Sequence, residues 1–504
     1  MIRVRFAPSP TGFLHIGGLR TALYSKLFAQ KNDGVFLLRI EDTDRNRLVE
    51  GAVENLLRTL EWTNVTPDEG PYLTADGSVQ EKGDYGPYVQ SRRLDIYRTA
   101  ADELLANDHA YRCFCTPERL EEVRRTKTLM KEPAMYDRLC RDLPADEVAE
   151  RVAAGEPHVV RMKMPLEGKT RFHDLVRGEV EFENALVDDQ VIVKGDGYPT
   201  YHLAVVVDDH HMGISHVFRG EEWLPSTPKH VVLYGAFGWE PPQYVHLPLL
   251  LNPDRSKLSK RQGDVAVEDY RSKGYLPEAL VNFVALMGWN PTSDREIFST
   301  EELGALFEPS RINKGGAVFN LEKLDWFNKE YLKECSEERL LTLSLPFFER
   351  AGVLRHQDEK LVNAKGSAVE RESVRRALKL EQTRATTLAD FPEATSYLFD
   401  EDYELDPAMI AWKKSTPEEA RNRLNAVADF LEAGSEAYFT SAETAEKVLR
   451  ELIEENGWDN GGTLWPTRVA LTGLAKSPSP FEVIWALGQD RSVSRLRRAI
   501  KLLS

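Results

Sequence analysis

This sequence predicts an α/β fold: a doubly wound parallel sheet with an α+β insertion, followed by a helical second half. Three observations carry it. The first 44 residues read strand, glycine-bearing turn, helix, strand. The run 35–40 is apolar apart from Arg39, as suits a strand covered on both faces of a parallel sheet. Beyond residue 332 no sheet-like alternation remains, and the apolar spacing is that of amphipathic helices.

The first strand, 2–6, alternates Ile2, Val4 and Phe6 with Arg3 and Arg5. Pro8, Pro10 and Gly12 then exclude a regular element. Helical spacing begins at Leu19 and continues through Ala22, Leu23, Leu27 and Phe28, until Gly34 closes the segment. Gly17 and Gly18 lack a Cβ, so a ligand can approach the backbone. They stand at a helix start, where N–H groups and the macrodipole favour anions. His15, just before them, can donate to a phosphate.

Helices are expected over 53–62 and 94–105, and turn chemistry at 67–71. Residues 158–164 and 191–194 read as strands, and 204–207 as a buried strand. Strand 214–219 puts Arg219, Gly220, Glu221, Glu222 and Trp223 at its carboxyl end, where open α/β sheets bind ligands. From 267 onward the pattern is helical. Amphipathic runs cover 336–351, 369–380, 417–433 and 442–455, with a break at 388–392.

A chain of 504 residues implies three to four domains. No run of about 18 apolar residues occurs, so no membrane span is expected. The chain opens on a strand without a basic–apolar leader, which points to the cytoplasm. A net charge of −16, taken alone, argues against nucleic-acid binding. Screening makes phosphate contacts local, and three basic clusters exist: Arg124, Arg125, Lys127 and Lys131; Arg371, Arg375, Arg376 and Lys379; Arg491, Arg495, Arg497, Arg498 and Lys501. Each reads as an RNA contact or a solvated face, as do Arg92 and Arg93.

Four cysteines are present: Cys113, Cys115, Cys140 and Cys335. Thiolates of the first three, with a tyrosinate from Tyr136, suit tetrahedral Zn²⁺. The same residues also read as buried thiols in a reduced cytosol, and Cys335 reads as a packed thiol. The group Asp208, Asp209, His210 and His211 is too weak a pattern to carry a metal site.

The segment from Arg5 through Pro8, Ser9, Pro10 and Gly12 to His15-Ile16-Gly17-Gly18, followed by Arg39-Ile40-Glu41-Asp42-Thr43-Asp44, resembles the N-terminus of a bacterial-type glutamyl-tRNA synthetase, a class I aminoacyl-tRNA synthetase. Lys257-Leu258-Ser259-Lys260-Arg261 resembles that family's second signature, in the expected order. The resemblance implies a Rossmann-like catalytic domain in two parts, 1–109 and 191–265, split by an acceptor-end-binding insertion, 110–190. A stem-contact region, 266–332, and two helical anticodon-binding domains, 333–390 and 391–504, follow.

The resemblance further implies ATP-dependent attachment of L-glutamate to tRNA(Glu) through a glutamyl adenylate, with Mg²⁺ on the phosphates. His15, Lys257 and Lys260 are the expected catalytic residues. Arg5, Ser9, Glu41, Tyr201 and Arg219 match the family's glutamate pocket. Gly17, Gly18, Glu222, Trp223 and Ser259 are expected to border ATP. Val205 stands where some members have asparagine, and Asp142 where zinc-bearing members often have histidine. A Cys-x-Cys with Tyr-x-x-x-Cys variant in the wider family points to structural zinc on Cys113, Cys115, Tyr136 and Cys140. Arg384 matches a position implicated in anticodon reading, and phosphate contact or plain surface charge stays equally open for it.

Arginine forks pair bidentately with carboxylates. A substrate amide would leave a buried arginine without its anion, enough for ~10³-fold discrimination against glutamine. A monomer is expected. The rival readings are an enzyme that also charges tRNA(Gln) and an inactive RNA-binding paralogue.

Overall fold

The structure is a computed structural model describing residues 1–258, 266–358, 360–413 and 415–503. It divides into two compact units: residues 1–272 with 277–324, and residues 273–276 with 325–504.

In the first unit a six-stranded sheet runs in the order Val35–Leu38, Arg3–Phe6, His216–Gly220, Gln243–Leu247, Lys169–Asp174, Gly178–Glu183. The first five strands are parallel, and the last turns back as an antiparallel hairpin. The carboxyl ends of the first four therefore share one edge. Helix Ile16–Lys31 connects the first two strands by a crossover, burying Leu19, Leu23, Leu27 and Phe28 as its periodicity requires. Helices Leu94–Ala106, Tyr201–His211 and Thr227–Ala236 pack into a common core through Leu104, Leu203, Val207 and Leu233.

Two expectations change here. Residues 204–207 are helix, not strand: they form the middle of Tyr201–His211, which Thr200 in extended conformation starts. Three consecutive valines favour a strand, but this helix is buried nearly all round, and packing outweighs the modest propensity cost. The alternation read in the first strand also differs, since Arg3 and Arg5 are buried with Val4 and Phe6. Arg3 ion-pairs with Glu69 at 2.9 Å and Arg5 with Asp209 at 3.1 Å, which is how a parallel strand carries two cations inward.

A separate three-stranded antiparallel sheet joins Val159–Met162 and Val191–Val193, both within runs read as strands from sequence, to Ala110–Cys113, which is not so read. The second unit is helical, including Glu337–Arg350, Arg371–Glu381, Pro417–Ala433, Ala442–Glu455 and Gln489–Leu502. Its exception among the described residues is a hairpin, Leu354–Gln357 with Lys360–Asn363, too short and polar to show alternation. No described helix is long and apolar enough to cross a membrane.

Candidate active site

The site gathers at the carboxyl edge of the sheet. Arg5 and Arg219 are each the next-to-last residue of adjacent parallel strands, and both are buried. Their surroundings differ sharply.

Arg5 already has an anion. Its Nε donates to both carboxylate oxygens of Asp209, at 3.1 and 3.2 Å, and Nη1 donates to the Phe218 carbonyl at 3.3 Å. Its Nη2 makes no hydrogen bond among the described residues. Asp209 is shared with Arg39 at 2.8 Å, and Arg39 also reaches Glu41 at 3.1 Å and Asp208 at 3.5 Å. Arg93 pairs with Asp208 at 2.8 Å, and Gln90 and Tyr97 also donate to that carboxylate. The buried network thus balances Arg5, Arg39 and Arg93 against Glu41, Asp208 and Asp209. Arg93 is therefore neither an RNA contact nor a surface charge, while Arg92 is exposed and pairs with Glu81.

The helical reading of 201–211 explains this network. Tyr201, Val205, Asp208 and Asp209 lie at i, i+4, i+7 and i+8, one helical face. That face brings Tyr201 and Asp209 to the sheet edge. The two aspartates hold arginines rather than a metal.

Arg219 has no carboxylate. Its Nε donates to His246 Nε2 at 3.0 Å, Nη1 to the Tyr201 hydroxyl and His230 Nδ1, each at 3.1 Å, and Nη2 to Thr227 Oγ1 at 2.8 Å. Every partner is neutral. A guanidinium buried without an anion is costly unless a ligand supplies one.

Burial pushes the Glu41 carboxyl up to about 7, against the opposing pull of Arg39 and Arg5. Asp209 moves the other way: burial raises it, but Arg5 and Arg39 outweigh burial and hold it below the usual carboxylate range. Burial pushes His202 down to about 3 and lowers His230 well below the usual imidazole range, in both cases helped by the charge on Arg219.

His15 stands in extended conformation at the start of helix Ile16–Lys31, and its Nδ1 accepts the Gly18 N–H at 3.0 Å. That bond leaves Nε2 as the protonated nitrogen, the donor a phosphate would meet. It also changes the reading of the glycines. The Gly18 N–H is spent on His15 and is not presented to a phosphate. A Cβ on Gly17 would stand 3.1 Å from the His15 ring, and one on Gly18 would stand 2.7 Å from Leu14 Cδ1. A side chain at either position would crowd these neighbours.

Glu222 and Trp223 are exposed in the 3-10 turn Glu221–Ser226 after the Arg219 strand, with the Trp223 ring 4.4 Å from that of Tyr201. Ser9 is exposed in the loop after the first strand. Lys257 is exposed beyond a turn in which the Asn252 N–H donates to the Ser256 carbonyl at 2.8 Å. Ser259 and Lys260 lie outside the described residues.

Away from this edge, the thiols of Cys113, Cys115 and Cys140 lie within 4.8 Å of one another, with Cys115 and Cys140 sulfurs 3.6 Å apart. The Tyr136 oxygen is 3.3 Å from Cys113 Sγ and 3.4 Å from Cys115 Sγ, and accepts the Cys140 N–H at 3.0 Å. Tetrahedral zinc with bonds of ~2.3 Å spaces its sulfurs by ~3.8 Å, so this donor set fits. Two guanidinium groups attend it: Arg119 Nη1 lies 3.4 Å from Cys115 Sγ, and Arg161 sits 4.1 Å above the Tyr136 ring. In the second unit, Arg384 pairs with Glu482 at 2.8 Å, and Cys335 is buried. Arg495, read as part of a basic cluster, is instead buried and donates to the carbonyls of Leu471, Tyr397 and Asp400.

Comparison with known proteins agrees with this layout. The family model described as tRNA synthetases class I (E and Q), catalytic domain, matches residues 1–326, and an anticodon binding domain model matches 339–500. The chain is 45% identical to a glutamate–tRNA ligase of Alkaliphilus metalliredigens, across 98% of each chain. It is 46% identical to that of Chloroherpeton thalassium, across 100% of this chain and 98% of the relative. A crystal structure of a glutamate tRNA ligase from Elizabethkingia meningosepticum, in complex with its amino acid, superposes with a TM-score of 0.86 at 35% identity, covering 100% of both chains.

Proposed function

The chain belongs to the class I tRNA synthetases of the glutamate and glutamine group, among the glutamate–tRNA ligases, and from that premise we propose how its residues divide the work of joining L-glutamate to tRNA. One observation carries the proposal: Arg219 is a buried guanidinium held entirely by neutral groups beside a buried carboxylate network. A dicarboxylic amino acid completes it. Arg219 and the Nη2 of Arg5 take carboxylate charge, Glu41 takes the ammonium, and Tyr201 and Ser9 add hydrogen bonds. Glutamine leaves Arg219 without an anion and is rejected.

The glutamate α-carboxylate attacks the α-phosphate of ATP, an oxygen–phosphorus bond forms, and pyrophosphate leaves. A ribose hydroxyl of the tRNA's terminal adenosine then displaces AMP from the glutamyl carbon and loses its proton. Such transfers need charge neutralised more than a base. His15 Nε2–H, Lys257 and Lys260 supply this from the protein, and Mg²⁺ neutralises phosphate oxygens when it enters with ATP. Glu222, Trp223, Gly17, Gly18 and Ser259 border the nucleotide. Cys113, Cys115, Cys140 and Tyr136 would hold zinc in a structural role, with Arg119 and Arg161 offsetting the excess negative charge. The insertion 110–190 contacts the acceptor end, and the helical regions 333–390 and 391–504 read the anticodon, with Arg384 as one contact.

The test is glutamylation of purified tRNA(Glu) and tRNA(Gln), with metal analysis of the same sample. Glutamate-, ATP- and tRNA-dependent charging with about one zinc per chain is expected. Absence of charging overturns the assignment, absence of zinc overturns the metal site, and charging of tRNA(Gln) makes the enzyme non-discriminating.

A pH dependence follows from Glu41. The ammonium of glutamate needs the ionised carboxylate, and about 7 is where that form becomes dominant. The Michaelis constant for glutamate should therefore fall about tenfold as pH rises from about 6 to 8, the competent fraction growing accordingly. Initial charging rates across that range check it, and Glu41→Gln should be weak and flat.

A further inference from the structure

We propose that Asp174 and His246 are positioning residues for amino-acid selection, fixing the direction in which Arg219 presents its guanidinium. The inference rests on the reading of Arg219 as the carboxylate fork.

The argument starts from what arginine can do. Its guanidinium only donates, so each nitrogen within reach must be a bare acceptor. His246 Nε2, 3.0 Å from Arg219 Nε, is therefore unprotonated, and Nδ1 carries the ring proton. That proton is donated to Asp174 Oδ2 at 2.7 Å. The same oxygen accepts the His246 backbone N–H at 3.0 Å, while Oδ1 accepts the N–H groups of Val176 and Arg177 at 2.9 and 2.8 Å. Asp174 is thus a fully engaged anion that cannot rotate away, and both it and His246 are wholly buried. The sheet register makes the chain of contacts: Arg219 faces His246, and Tyr244 faces Asp174, on neighbouring parallel strands.

A second line with the same logic reaches the other edge of the guanidinium. Arg219 Nη1 donates to His230 Nδ1 at 3.1 Å, so His230 carries its proton on Nε2 and donates it to His202 Nδ1 at 3.0 Å. Two imidazoles with fixed tautomers therefore hold Arg219 without neutralising it. A carboxylate in place of either would satisfy the charge and remove the reason to bind a substrate anion. A flipped tautomer would aim an N–H at an N–H and turn the fork.

The experiment compares His246→Leu, His246→Gln, Asp174→Asn and Arg219→Met in tRNA glutamylation, measuring Michaelis constants for glutamate and ATP and thermal midpoints. A glutamine side-chain oxygen falls where Nε2 stands, so it keeps the acceptor. Leucine removes it. The carboxamide in Asp174→Asn can donate to Nδ1 and reverse the tautomer. The Michaelis constant for glutamate should rise about tenfold in His246→Leu and Asp174→Asn, with that for ATP within about twofold, and His246→Gln should restore most of the loss. A merely structural role would lower the midpoint and leave that ratio unmoved.

Should the variants fail to fold, ¹⁵N spectra of histidine-labelled wild-type protein decide. Protonation at His246 Nδ1 is required, and protonation at Nε2 overturns the inference. If Arg219→Met loses glutamate binding while His246→Leu and Asp174→Asn keep it, the positioning role is wrong and the pocket stands. If Arg219→Met binds glutamate normally, the pocket itself falls, and the inference with it.

Discussion

Arg219→Met should lower kcat/KM for glutamate by roughly 10³-fold while leaving the thermal midpoint unchanged or raised. The two halves of this expectation come from one fact. Arg219 is buried with four neutral hydrogen-bond partners and no carboxylate. In the free enzyme such a charge costs stability, because desolvation is not offset by an ion pair. With substrate bound, the same charge meets a carboxylate in a dry crevice, where charge-assisted, bidentate bonding is strong. Removing it takes away a ground- and transition-state contact worth several kcal/mol, and methionine fills much of the space without a charge. Steady-state charging with a melting curve on the same preparation checks both halves. A midpoint lowered by many degrees with a small kinetic effect would make Arg219 a structural residue.

Much of this was legible in the residues themselves. The first strand, the crossover helix and the second strand followed from apolar spacing and from Pro8, Pro10 and Gly34. So did the helical second unit, where 417–433 and 442–455 form as read. The three-cysteine cluster was legible too, because Cys-x-Cys and Tyr-x-x-x-Cys spacings are local and ligand chemistry limits what can complete them. What was not legible involved partners far apart in sequence. Nothing near Asp208 and Asp209 signals that their counter-charges are Arg5, Arg39 and Arg93, more than a hundred residues earlier. Reading 204–207 as a strand hid them further, since a strand would alternate residues that a helix puts on one face. The signal that could have found them was the spacing of Tyr201, Val205, Asp208 and Asp209 after Pro199-Thr200. Likewise, nothing in the sequence signals that the Gly18 N–H is taken by His15 Nδ1, or that a Cβ on Gly17 or Gly18 would crowd the His15 ring and Leu14.

The same network makes Asp209→Asn the most damaging change to the fold. Asp209 holds Arg5 at 3.1 Å and Arg39 at 2.8 Å, and neither arginine can reach solvent. Replacing one carboxylate with an amide of the same shape leaves three buried cations facing two anions. Breaking a buried pair this way costs about 3–5 kcal/mol, because the charges left behind are not rehydrated. A midpoint lower by several degrees is expected, checked by thermal unfolding or by proteolysis of the opened state. The charge-balanced double variant Asp209→Asn with Arg39→Met should cost clearly less than the sum of the two single changes, since each relieves the imbalance made by the other. Additive losses would mean that the residues are not electrostatically coupled. Coupling also bears on how Arg5 should be probed. Arg5→Ala removes a proposed substrate contact and one of the two cations on Asp209, so lost charging in that variant would mix binding with misfolding. Arg5→Lys keeps a cation near Asp209 but gives up the planar fork, and it should therefore retain most of the stability while losing glutamate affinity.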